Sequence, residues 1–219
     1  MVNLNLIVEG GIYTNDVLAT TASNVESLRQ SLHSFFSRLL NREDISITLF
    51  LGTGYRNATK KFIDADNPIF LYVDSDYPPK SLDLWFDSLL NKLHPEKSII
   101  IPDNKKQFVF FMIQEMEAWF LKQPGCMEIW ASKEGYVRIE KQLNIESHSV
   151  IRGKNIECIK KPSEKLAIIM KKFFKKGKKG ANYGKLKNAP GLLDALDVTS
   201  LIPKDLELQR FQTMINTNF

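Results

Sequence analysis

The chain has 219 residues, 43% hydrophobic and 25% charged, the balance of a globular protein with a buried core rather than a disordered or fibrous one. Its two cysteines, Cys126 and Cys158, are too few for a disulfide framework or a thiolate zinc site, and no apolar stretch reaches membrane-spanning length. The net charge of +5 is unevenly laid: residues 160–187 hold eleven lysines against one acid, Glu164, so the rest of the chain is net negative. A concentrated basic tract on an acidic body points to a polyanion-binding surface. Residues 1–8 lack a basic leader and run into Glu9, so they do not read as a signal peptide, and a reducing cytoplasm is the expected location.

Taken in order, residues 4–8 read as a first strand running into Glu9-Gly10-Gly11, where glycine permits a tight turn or close approach of a ligand. Ser23-Asn24-Val25-Glu26 has the form of a capping box, and apolar residues from Val25 to Leu40 recur at helical spacing, which predicts a helix over 24–40. Residues 45–51 form a second strand closed by Gly52-Thr53-Gly54, which lacks the pattern of a phosphate-binding loop and reads as a turn into a short helix over 55–65. The apolar run Ile69-Phe70-Leu71-Tyr72-Val73 then ends in Asp74-Ser75-Asp76. A helix over 81–93 and a short strand over 98–101 follow.

This β-α-β-α-β-α-β order predicts a mainly parallel α/β sheet flanked by helices. Residues 108–113 are another apolar run, followed at once by Gln114-Glu115-Met116-Glu117-Ala118-Trp119-Phe120. Beyond residue 123 the pattern weakens into a mostly helical, lysine-rich extension. It has expected helices over 133–143, from Pro162, around Leu192–Leu196 and over 206–215, with a flexible basic loop over 177–184. The expected organisation is an α/β domain over 1–123 with the extension 124–219 packed on it.

Acids thus follow three apolar runs: Glu9, then Asp74 with Asp76, then Glu115 and Glu117. In a parallel sheet the strand C-termini share one edge, so these side chains are expected to converge there. Clustered carboxylates bind hard cations, which points to Mg2+ or Mn2+, and such ions serve phosphoryl chemistry. Lys171, Lys172, Lys175, Lys176, Lys178 and Lys179 would then hold a DNA or RNA backbone that the acids repel. Each feature has a plainer reading: a loop-capping aspartate pair, a glutamate favoured by a helix dipole, a solvated lysine face.

The order Val8-Glu9-Gly10-Gly11 then Tyr72-Val73-Asp74-Ser75-Asp76 resembles the TOPRIM fold of topoisomerases, primases and OLD-type nucleases. Ile7-Val8-Glu9-Gly10, Asp74-Ser75-Asp76, the segment 114–120 and Pro162-Ser163-Glu164-Lys165-Leu166 together resemble a TOPRIM-like bacterial family akin to RloB-like proteins. The resemblance implies metal-dependent cleavage of a nucleic-acid phosphodiester, in a phage-defence setting with an ATPase partner. It makes Glu9 a metal ligand or general acid/base and Asp74 and Asp76 the metal-binding pair. Glu117, then Glu115, are candidates for further ligands, and Lys185 for a lysine that stabilises phosphate charge. The chain is too short for strand passage, so a topoisomerase is not expected. Two alternatives stand beside the nuclease: a non-catalytic nucleic-acid or partner-binding module, and a glycosyltransferase, whose nucleotide-sugar site also uses an Asp-x-Asp after a strand.

Overall fold

Four apolar runs pair into one parallel sheet of order β2-β1-β3-β4, made of β1 (Val2–Glu9), β2 (Ile45–Gly52), β3 (Ile69–Asp74) and β4 (Val109–Met112). The computed structural model describes residues 1–10, 19–65, 69–139 and 141–219, so Gly11 of the Glu9-Gly10-Gly11 turn lies outside the described residues. β3 and β4 are buried on both faces, which is why they read as continuous apolar runs, whereas the edge strand β2 leaves Thr48 and Phe50 exposed. Alternate residues part accordingly. Leu6, Val8, Phe70, Tyr72 and Phe110 face the larger cluster, and Ile7, Leu71, Val73 and Phe111 face the smaller one.

The long helix α1 (Ala19–Leu40) covers the first face, burying Val25, Leu28, Leu32, Phe35, Phe36 and Leu39. On the second face lie α2 (Gly54–Asp64), through Ala58 and Phe62, and α3 (Asp83–Ser88), through Trp85. The crossover from β1 to β2 therefore runs over one face and that from β2 to β3 over the other. This makes the C-terminal ends of β1 and β3 a topological switch point, where a crevice opens. Gly52 lets α2 seat against β2, because a β-carbon there would stand 2.4 Å from that of Ala58.

Beyond a short α4 (Asp103–Lys106), the chain after β4 adds α5 (Glu117–Lys122), α6 (Gly125–Lys133), β5 (Val137–Arg138) and α7 (Pro162–Phe173). It continues as β6 (Phe174–Lys176), β7 (Lys179–Gly180), α8 (Lys185–Ala195), α9 (Val198–Leu201) and α10 (Leu206–Asn218). Its apolar residues join the cluster under α1, with Trp119 stacked on Phe35 at 4.7 Å and Phe211 edge-on to Phe110 at 5.0 Å. The helix α10 also closes the free edge of β4. The Glu207 carboxylate accepts the Phe111 N–H at 3.0 Å, and Arg210 donates to the Val109 carbonyl. No helix among the described residues is long and apolar enough to cross a membrane.

Several local expectations are corrected. The capping box at Ser23 lies inside α1, which starts earlier, and the Ser27 hydroxyl donates to the Ser23 carbonyl within the helix. The helix expected over 81–93 stops at Ser88, because the Asn91 side chain takes the N–H groups of Leu93 and His94 and turns the chain. Residues 98–101 form no strand. Ile99 and Ile101 are buried and Ile100 is 73% exposed, so the alternation is real, but they pack beside α3 outside the sheet, with the Ile99 N–H donating to Leu89. The helix expected over 133–143 ends at Lys133, and Gly135, at φ +71°, turns the chain into β5. The basic loop over 177–184 is partly a hairpin, since β6 pairs with both β5 and β7.

Candidate acidic site at the sheet edge

Glu9, Asp74, Asp76, Glu115 and Glu117 line one cleft of about 440 Å³ with Tyr183 and Lys185. Glu9 ends β1 and Asp74 ends β3, so the adjacent strands bring them together at the switch point. Asp74 donates its N–H to Glu9 Oε2 at 3.2 Å. Its own carboxylate is fully engaged: Oδ1 accepts the Met116 N–H at 2.8 Å, and Oδ2 pairs with Lys185 Nζ at 2.7 Å. Glu117 is 1% exposed, accepts the Tyr183 hydroxyl at 2.6 Å on Oε1, and leaves Oε2 without a hydrogen-bond donor, 3.9 Å from Lys185 Nζ.

Glu115 and Asp76 sit differently. Glu115 Oε2 accepts the Ser163 N–H at 2.7 Å, which ties it to the first turn of α7 and gives it a capping role. Asp76 is exposed, in left-handed backbone at φ +56°, and its N–H donates to Gln114. Gln114 is also left-handed, at φ +63°, so the two unusual backbones face each other across the ends of β3 and β4.

The residue that holds them is Ser75, fully buried between the aspartates. Its hydroxyl accepts the N–H groups of Gln114 at 2.8 Å and Tyr77 at 3.2 Å and donates to the Tyr77 carbonyl at 2.7 Å. Ser75→Ala is expected to leave the buried Gln114 N–H only its long 3.4 Å bond to the Tyr77 carbonyl and to lower stability by about 1–3 kcal/mol, measured by urea unfolding. Ser75, Gln114 and Tyr183 were not legible as site residues. A serine between two aspartates signals nothing by composition, and Tyr183 reaches Glu117 only through the fold.

Lys185 opens α8, so the helix fixes its position among the acids. Burial alone would lower its pKa, but Asp74 and Glu117, with Glu9, override this and raise it, keeping the ammonium charged. One lysine does not balance five acids. Burial, reinforced by Asp74, pushes Glu9 up to about 7, and burial raises Glu117; Asp76, only partly covered, is raised by that partial desolvation together with Asp74 and Glu115. Tyr72 faces the core with its hydroxyl buried and unpartnered, and burial raises its pKa, so it is no nucleophile.

Among the described residues, no three Asp, Glu, His or Cys side chains are arranged to hold a metal ion. The cation among the acids is Lys185. The basic tract lies outside the cleft: Lys171 and Lys172 end α7, while Lys175, Lys176, Lys178 and Lys179 follow along the hairpin, all exposed. Lys176 donates to the Glu134 carbonyl at 2.9 Å. No protein-family model, curated protein or solved structure matches the chain.

Proposed function

We propose that the chain is a TOPRIM-like phosphodiesterase that cleaves nucleic acid with a divalent cation. The observation that carries this reading is the convergence of Glu9, Asp74, Asp76 and Glu117 with Lys185 on one cleft, at the switch point of a parallel sheet. A glutamate ending β1 and an Asp-x-Asp leaving the neighbouring β3 is the arrangement the TOPRIM resemblance leads one to expect.

The donor chemistry fits Mg2+ or Mn2+: the available atoms are hard carboxylate oxygens, and Glu117 Oε2 is buried with no donor. Glu9, Asp74, Asp76 and Glu117 would hold the ion; no three of them stand around one point as they are, so binding would require Lys185 to withdraw from Asp74 and the carboxylates to draw in. A bound divalent cation supplies Lewis-acid polarisation of a phosphoryl oxygen and a more acidic water. The chain's own groups supply the rest. Lys185 offers a fixed positive charge to phosphoryl oxygens. In the metal-free cleft Glu9 is pushed up to about 7, so it is poised to take or give a proton near neutrality where it does not itself ligate the ion. Tyr183 fixes the orientation of Glu117.

The test is hydrolysis of labelled single- and double-stranded DNA and RNA with Mn2+, Mg2+ or EDTA. Metal-dependent cleavage of at least one substrate is expected. Absence of cleavage on every substrate, alone and with a partner ATPase, sinks the proposal.

The 2.7 Å contact between Lys185 and Asp74 favours a second reading, in which an internal ion pair satisfies the acids and the protein is a non-catalytic binding module. Lys185→Ala separates the two. If the lysine stands in for a cation, the variant should bind Mn2+ about tenfold more tightly by calorimetry, since about 1.4 kcal/mol of competing charge gives that factor, while cleavage falls. An unchanged, negligible Mn2+ affinity favours the module. The glycosyltransferase alternative leaves both Lys185 and Glu9 without a role.

A further inference from the structure

Beside the acidic cleft lies a larger cavity, of about 610 Å³, for which the proposed hydrolysis has no use. Lys154, Lys160, Lys161 and Lys165 line it, Val150 and Ile159 add apolar wall, and no Asp or Glu is among its lining residues. Of the four lysines only Lys161 has an ion pair among the described residues, with the exposed Glu164 at 2.7 Å. Like charges gathered around a concavity repel one another, and solubility needs no such arrangement. Within a cavity their field is focused on whatever enters.

The walls are firmly built. Asn155 caps the turn at Ile156–Cys158 by accepting the Glu157 N–H at 3.0 Å. The Glu157 carboxylate pairs with buried Lys122 at 2.7 Å, and its carbonyl accepts from Gln114 at 3.4 Å, which links this turn to the residue before Glu115 of the acidic cleft. The start of α7 is the partition: Lys161 and Lys165 line the lysine cavity, whereas Ser163, Glu164 and Ala167 line the acidic cleft. Lys161 itself is left-handed, at φ +52°, a conformation that side chains with a β-carbon adopt at a cost of about 1–2 kcal/mol.

The geometry points to the lysine cavity as a subsite for non-scissile phosphates of the strand whose cleavage takes place in the acidic cleft. This rests on the phosphodiesterase reading. The acidic cleft by itself repels a polyanion, so a strand that reaches it must be held by cationic groups nearby. The cavity shares the α7 wall with the cleft and has no carboxylate among its lining residues, Glu164 pairing with Lys161 from outside it. The lysines expected from sequence to hold the strand begin at Lys171. Those lining this cavity lie earlier, at the opposite end of α7 and in the turn before it.

The test is Lys154→Ala/Lys160→Ala/Lys165→Ala, which removes side chains with no ion-pair partner among the described residues and should fold normally by circular dichroism. The probe is a short fluorescein-labelled single strand, in DNA and RNA versions, bound in EDTA so that affinity is read without cleavage. At moderate salt the variant should bind about tenfold or more weakly, and its slope of log affinity against log salt should shrink by about two, from roughly 0.7 per lost phosphate contact. The version lost more completely identifies the strand chemistry. In the cleavage assay KM should rise while kcat and Mn2+ affinity hold. Wild-type affinity and salt slope in the variant, or no strand binding by the wild type, overturns the subsite and leaves the acidic site to its own assay. Loss of strand binding in a protein that never cleaves upholds the subsite and sinks the nuclease.

Discussion

Glu9→Gln is expected to slow cleavage severely and, in metal-free buffer, to make the protein more stable above neutral pH. Glu9 is pushed up to about 7 from an ordinary 4.5, first by burial and then by Asp74. Below the ordinary value the group is protonated in both folded and unfolded chains and has no effect. Between 4.5 and 7 the unfolded chain ionises first, so stability falls; beyond 7 both forms are ionised and the loss is constant. At about 1.4 kcal/mol per pH unit the loss is on the order of 3–4 kcal/mol. Glutamine keeps an oxygen for the Asp74 N–H and carries no charge. The variant should therefore melt roughly 10 °C higher at alkaline pH and unchanged in acid, at about 2–4 °C per kcal/mol for a chain of this size. Cleavage should drop by about two to four orders of magnitude, the range for a lost acid/base group. A variant no more stable than wild type in EDTA at alkaline pH would remove the charge-crowding account of the site.

Lys122→Met carries the largest expected cost to the fold. The Lys122 side chain is 4% exposed and bridges Glu157 and Asp205, each at 2.7 Å. Asp205 is wholly buried; it also accepts the Trp119 indole N–H at 3.0 Å and caps α10 through the N–H groups of Glu207 and Leu208. Without the ammonium, a buried carboxylate is left facing a thioether, at a cost of about 3–5 kcal/mol. Urea unfolding should show a lower midpoint with an unchanged slope. Adding Asp205→Asn should restore part of the loss, because the buried charge goes with it; a double variant as unstable as the sum of the two singles would deny the coupling. The turn at Ile156–Cys158 hangs on the same lysine and supports Gln114, so the single variant should also loosen the acidic cleft.

The inner strands β1 and β3 are legible because burial on both faces forces apolar runs, and the acids that end them stand out against those runs; β2, at the edge, shows instead as an alternation with Thr48 and Phe50 exposed. The fourth strand was misplaced for a physical reason. Ile99 and Ile101 alternate with exposed Ile100 as a strand would, but alternation reports burial on one side and says nothing about which backbone pairs. The acidic residues were legible as candidates, since five carboxylates beside apolar runs need an explanation. What they do was less so: Glu115 spends its carboxylate on Ser163, and Asp74 on Met116 and Lys185. Those bonds link residues between 42 and 111 positions apart, and no local pattern encodes them. The C-terminal half was read worst, because its short helices and hairpin take their positions from packing under α1 more than from their own periodicity.

The contact of α10 with β4 makes the sheet one-ended. With Glu207 and Arg210 occupying the outward N–H of Phe111 and carbonyl of Val109, a peptide seeking to extend the sheet finds that margin already taken. Strand addition, whether by a partner's extended segment or in aggregation, would have to begin at β2. That margin borders the first crossover, on the side of the sheet away from β4.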